Sequence, residues 1–136
     1  MKNAVLALMI FVTITGCGQS GNKAQSTAQV STDPNVVNVL YFHPKQGCET
    51  CKAVGAISKK IVETDFSGKK VLFVDIDFSD ATNKTIVEKY EILSSSLIIA
   101  KGSDKINVTM QAFATALSNP QALEDLVKQE INKRLQ

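Results

Sequence analysis

The chain of 136 residues contains no tryptophan, one histidine, three cysteines and no real excess of either charge. These scarcities close off classes of function. Fifteen Lys and Arg stand against 13 Asp and Glu, a formal net charge of +2, which leaves no electrostatic footprint for nucleic acid. The single histidine, His43, and the Cys48/Cys51 pair make three candidate ligands, one short of a closed zinc site. The N-terminal apolar run, Ala4 to Ile14 broken only by Thr13, is too short for a ~30 Å hydrocarbon core, which needs about 20 residues. What is present is ordinary for a globular protein: 44% hydrophobic and 21% charged residues, at a length that allows one domain.

The N-terminus reads as a targeting segment. Met1-Lys2-Asn3 is a short basic start, and the apolar run after it has the length of a secretory signal's hydrophobic region. Its exit, Ile14-Thr15-Gly16-Cys17, resembles the lipobox of bacterial lipoproteins. That resemblance implies a signal peptide over residues 1–16, cleavage before Cys17 and a diacylglycerol on its sulfur, with acylation of its amine. Two or three acyl chains anchor stably, at about 0.8 kcal/mol per buried CH₂. An ordinary secreted protein with a coincidental cysteine is the plain alternative. Gly18 to Thr32 is rich in Ser, Thr, Gln, Gly and Ala, with Lys23 its only charge. It reads as a flexible tether, closed by Asp33-Pro34, that reaches about 20 Å. Residues 17–34 are thus anchor and tether, and the domain is expected over 35–136, beside a membrane and facing the periplasm or exterior. Gly18 is not the aspartate that retains many lipoproteins in the inner membrane, so a cell with two membranes favours the outer one.

The 104 residues from Asp33 onward can bury one core without a structural disulfide. Val36 to Phe42 reads as a buried strand. Cys48 to about Phe66 reads as a helix, with Val54, Ile57, Ile61, Val62 and Phe66 on one face. Val71 to Phe78 is too continuously apolar for a surface strand. Ser79 or Asp80 caps a second helix carrying Ile86, Val87 and Tyr90. Leu97 to Ala100 is a third strand, Lys101 to Asp104 a turn, and Lys105 to Met110 a fourth strand. Gln111 to Ser118 suits helix or loop. Asn119 caps a last helix with Pro120 in its first turn. Met110 and Phe113 are read as core.

Cys48-Glu49-Thr50-Cys51 sits where the first strand's loop turns into a helix. Positions i and i+3 at a helix start lie on one face, close enough for a disulfide. The unpaired N–H groups of the first turn favour a thiolate on the leading cysteine. Glu49 opposes this. A carboxylate about 6 Å away in a mostly aqueous setting costs the thiolate roughly 0.7–1.4 kcal/mol, against about 0.3–1 kcal/mol from the helix end. The balance predicts an ordinary thiol, hence a pair that prefers to donate electrons.

The order β-α-β-α-β-β-α resembles the thioredoxin fold, an α/β architecture with a four-stranded mixed sheet flanked by helices. The resemblance spans residues 35–136 and is carried by Cys48 to Lys52, by Val74-Asp75-Ile76-Asp77, by Tyr90-Glu91-Ile92 and by Lys101-Gly102. It implies a thiol-disulfide oxidoreductase with Cys48 as nucleophile and Cys51 as resolving thiol, and with no cofactor beyond that pair. It also implies an upstream membrane thiol-electron transporter of the DsbD or CcdA type. The protein substrate is open, and a monomer is expected. The chain departs from the family at several points. Ser95 stands where the family's cis-proline is expected, so a trans peptide is predicted there. Gly47 replaces the usual tryptophan, and Leu40 stands for the buried acid, leaving Glu49 or water to take the Cys51 proton.

His43, Glu49, Thr50 and Ser95 are the residues expected to shape the site. His43 reads first as a solvated loop residue beside Pro44 and second as a neighbour of Cys48. Asp75 and Asp77 read first as polar strand-end residues. The competing reading is a soft-metal or metalloid site, for Cu(I) or trivalent arsenic, on the same Cys48/Cys51 dithiol. A static disulfide is the third. For the anchor, globomycin treatment is expected to leave an uncleaved precursor; normal processing under the drug refutes the lipobox reading.

Overall fold

The computed structural model describes residues 28–136; the expected signal segment and Cys17 lie outside them. β1 (Val37–His43) is buried along all but its last residue, because both its faces are covered. It pairs in parallel with β2 (Val71–Asp77) and antiparallel with β3 (Ser96–Lys101), which pairs antiparallel with β4 (Asp104–Asn107). The result is one mixed sheet of four strands in the order β2-β1-β3-β4. Among the described residues four α-helices accompany it: α1 (Glu49–Asp65), α2 (Lys84–Lys89), α3 (Thr109–Thr115) and α4 (Pro120–Leu135). A 3₁₀ turn, Ala81–Asn83, capped by Asp80, leads into α2.

The two-residue period of β1 sorts the core onto two faces. Val37, Val39 and Tyr41 pack with Val54, Ile61 and Val62 of α1 and with Leu123, Val127 and Ile131 of α4. Leu40 and Phe42 pack the other way, with Val74, Ile76, Ile92 and Ile98, under Ile86, Val87 and Tyr90. α2 is only six residues long and cannot cover that second face alone. Ala28 and Val30 complete the cover.

Two buried asparagines hold this N-terminal strap. Asn38 and Asn83 are each 4% exposed. The Asn38 amide accepts from the Ser31 N–H at 2.9 Å and donates to the Ser31 carbonyl at 3.1 Å, while Asn83 Oδ1 accepts from the Ala28 N–H at 3.2 Å. Side-chain amides here do the work of a neighbouring strand's backbone, so Ala28 to Ser31, expected in the tether, pack against the domain.

The segment after β4 also differs from expectation. The strand stops at Asn107, whose side chain accepts from the Thr109 N–H at 3.0 Å, and Val108 becomes the cap of α3. Thr109 Oγ1 in turn accepts from the Leu97 N–H at 2.9 Å, and the Val108 N–H donates to the Leu97 carbonyl at 3.0 Å. Val108 is 1% exposed, but Met110, now in the first turn of a helix, is 84% exposed. The expected core role of Met110 is therefore corrected, whereas Phe113 does pack against the core. The ambiguous stretch is a helix as far as Thr115.

Tyr41 reaches α1 at Gly55, where a Cβ would lie 2.5 Å from its ring. Gly55→Ala is expected to lose about 1–3 kcal/mol through overpacking, although alanine by itself favours a helix by up to ~1 kcal/mol. Urea unfolding reads the difference. A gain in stability would contradict the contact.

Candidate active site

Pro44 to Gly47 carries the chain from the end of β1 to Cys48, the N-cap of α1. Cys48 is extended, at φ −67° and ψ 169°, and its carbonyl accepts the first helical bond from the Lys52 N–H at 3.0 Å. Its sulfur accepts from the Cys51 N–H at 3.2 Å. The sulfur thus does what a serine or aspartate oxygen does at other helix starts, satisfying an orphan donor of the first turn. Cys48 and Cys51 form a disulfide with Cα atoms 5.0 Å apart.

The two cysteines are not equivalent. Cys48 is exposed, whereas Cys51 is 6% exposed. A Cβ on Gly47 would lie 3.2 Å from the Cys51 Cβ, so a larger residue there presses on the inner cysteine. One cysteine is open to solvent and the other is enclosed by the protein.

The protein around Cys51 supplies two hydroxyls. Tyr41, 5% exposed, donates its OH to the Cys51 carbonyl at 2.5 Å. Burial pushes the Tyr41 phenol up to about 12, and the Asp75 carboxylate adds to the effect. Ser95 Oγ lies 3.7 Å from the Cys51 sulfur. Ser95 thus occupies the expected place opposite the dithiol, and among the described residues every peptide bond is trans. Leu40, expected to replace an acid, is fully buried in the core of the other face.

His43 differs from its first reading as a solvated loop residue. It is the last residue of β1, its ring stacks on Tyr41 with centroids 5.1 Å apart, and its side chain is 24% exposed. Nε2 meets the Asp75 carboxylate and Nδ1 lies 2.8 Å from the Pro44 carbonyl. Both ring nitrogens face oxygen acceptors. Asp75 is therefore a partner of His43 rather than a bare strand-end charge. Asp77 instead caps a turn, accepting from the Ser79 N–H at 2.9 Å.

Glu49 is exposed in the first turn of α1 and Thr50 is half-buried beside it; neither hydrogen-bonds a cysteine among the described residues. Among the described residues, no group of three His, Cys, Asp and Glu side chains is placed to hold a metal. The structure brings together Cys48, Cys51 and Ser95, and it links His43 to Cys51 through Tyr41. Tyr41 was not singled out from the sequence. The available signal was a tyrosine on the α1-facing side of an otherwise apolar strand, opposite a glycine inside the helix.

No family model matches the chain, and no curated protein matches it. A solved structure described as that of a malarial protein superposes with a TM-score of 0.50 at 22% identity, over 74% of this chain and 99% of that one. At that identity the likeness is one of fold.

Because the folded state holds the Tyr41 phenol above its usual 10.0, it keeps a proton that the unfolded chain has lost. The stability from this group is whole below pH 10.0 and is lost as pH rises through about 12. Urea midpoints are expected to fall over that alkaline range, and to fall less in Tyr41→Phe. Tyr90, raised by burial, and Lys128, raised by its bond to Asp65, contribute to what remains. An identical alkaline limb in both proteins contradicts the placement of Tyr41.

Proposed function

We propose that this chain is a thiol-disulfide oxidoreductase of thioredoxin-like fold, working as a disulfide reductant or electron relay in the cell envelope. The reading rests above all on the asymmetry of the pair: an exposed sulfur capping the helix, joined to a buried one a turn further in. In the reduced protein the Cys48 thiolate attacks a substrate disulfide. A new S–S bond forms to Cys48, the substrate bond breaks, and one substrate thiolate leaves and takes up a proton. Cys51 then gives up its proton, attacks the Cys48 sulfur and expels the second substrate thiolate. The substrate disulfide gains two electrons and the Cys48–Cys51 pair loses them.

The first-turn N–H bond to the Cys48 sulfur (3.2 Å) favours the thiolate, and exposed Glu49 next to it opposes. The balance leaves a thiol far from those of strong oxidants, which supports donation of electrons. A membrane thiol-electron transporter of the DsbD or CcdA type would restore the dithiol, with Cys17 holding the domain near it through its lipid. The soft-metal reading must rely on the dithiol alone, because the His43 ring is committed to Asp75 and Pro44.

Cys51→Ser in the full chain is expected to accumulate mixed disulfides with partner proteins through Cys48, released by dithiothreitol, while Cys48→Ser accumulates none. Equal trapping by the two variants would overturn the assignment of roles. A reduction potential near −120 mV, the regime of dedicated oxidants, would overturn the direction of electron flow.

A further inference from the structure

Cys51 is tied down at three atoms. Its N–H goes to the Cys48 sulfur, its carbonyl takes the Tyr41 hydroxyl, and its own sulfur has, besides the disulfide, one hydrogen-bond partner among the described residues, Ser95 Oγ at 3.7 Å. The distance is within the longer reach of sulfur, a weak acceptor as a thioether or disulfide and a stronger one once it carries charge. The neighbouring serines are otherwise engaged: Ser96 Oγ donates to the Ser94 carbonyl at 2.9 Å, and Ser94 is exposed. Of these three serines, Ser95 is the one that meets the inner sulfur.

Resting on the redox reading above, we infer that Ser95 is a positioning residue whose hydroxyl donates a hydrogen bond to the Cys51 sulfur as it becomes a thiolate. In the resolving step Cys51 must lose a proton in a nearly dry setting, where an unpartnered anion is costly. A carboxylate beside it could accept the proton, but whenever ionised it would repel the thiolate. A hydroxyl keeps its own proton and turns it toward the charge. The Cys51 proton leaves with the departing substrate thiolate or to water, so the step balances without an added base. In the disulfide the same contact is weak, because neutral sulfur accepts poorly. The bond therefore stabilises the reduced pair more than the oxidised one once Cys51 is ionised, so at a pH high enough to ionise thiols Ser95 raises the pair's reduction potential above what the apolar surroundings would set.

The test compares wild type, Ser95→Ala and Ser95→Thr in the full chain, equilibrated against dithiothreitol redox buffers at a pH high enough to ionise thiols. Far-ultraviolet dichroism checks folding. Ser95→Ala is expected to shift the equilibrium toward the disulfide by about 3- to 10-fold, a hydrogen bond's worth, which is roughly 15–30 mV more negative for a two-electron couple. Ser95→Thr, which keeps the hydroxyl, is expected within about twofold of wild type. In a Cys48→Ser background, the pH profile of Cys51 alkylation moves to higher pH with alanine and not with threonine. A merely structural serine would move neither potential nor profile. Unchanged values in a folded Ser95→Ala, or a folded threonine variant behaving as alanine does, overturn the inference and leave the redox reading intact. A wild-type pair that never exchanges with dithiothreitol overturns both.

Discussion

The rest of this structure depends on the way a helix begins. α1 starts with a sulfur where most helices have an oxygen, and the donor that the Cys48 sulfur satisfies is the N–H of its own disulfide partner. One geometric fact thus does two jobs. It closes the first turn, and it places a potential thiolate against backbone dipoles whose positive ends point at it. Breaking the disulfide does not require breaking the cap, because the donor at 3.2 Å serves a thiolate at least as well as a disulfide sulfur.

The remainder of the fold can be understood as support for that junction. β1 is an inner strand of the sheet, buried on both faces, and ends at His43, so the loop to Cys48 springs from a strand paired on both edges. Tyr41 then joins strand to helix: its ring fills the gap left by Gly55, and its hydroxyl meets the Cys51 carbonyl. His43 and Asp75 brace the ring from the outer side. From across the sheet, Ser95 comes up to the inner sulfur. Two neutral hydroxyls thus meet Cys51, one at its carbonyl and one at its sulfur. The His43–Asp75 pair sits on the outer side of the tyrosine ring.

Much of this could be read from residue order. The strands at Val37, Val71 and Ser96 and the caps at Cys48 and Asn119 are local signals, set by apolar period and turn chemistry, and the structure places them within a residue of expectation. What could not be read depends on long-range pairing. Leu97 bonds to Val108 and Thr109, and that contact ends β4 early, turns the next residues into α3 and leaves Met110 facing solvent, although its alternation with Ile106 and Val108 looks like a strand. Asn38 and Asn83 look like surface amides until the strap from Ala28 to Ser31 is laid across them. The Tyr41 hydroxyl could not be matched with the Cys51 carbonyl without knowing that the helix crosses the strand at Gly55. His43 looks like a loop residue because Pro44 follows it, yet its pairing opposite Asp77 keeps it in the sheet.

The central claim is that the Cys48–Cys51 bond opens and closes in service, and the most direct measurement is differential thiol alkylation in intact cells, read by mass spectrometry before, during and after a short pulse of membrane-permeant reductant. The account predicts that both cysteines gain label together in the pulse and lose it together afterwards, as the pair re-forms on passing its electrons onward. A pair that stays unlabelled throughout, or whose two sulfurs respond independently, contradicts it.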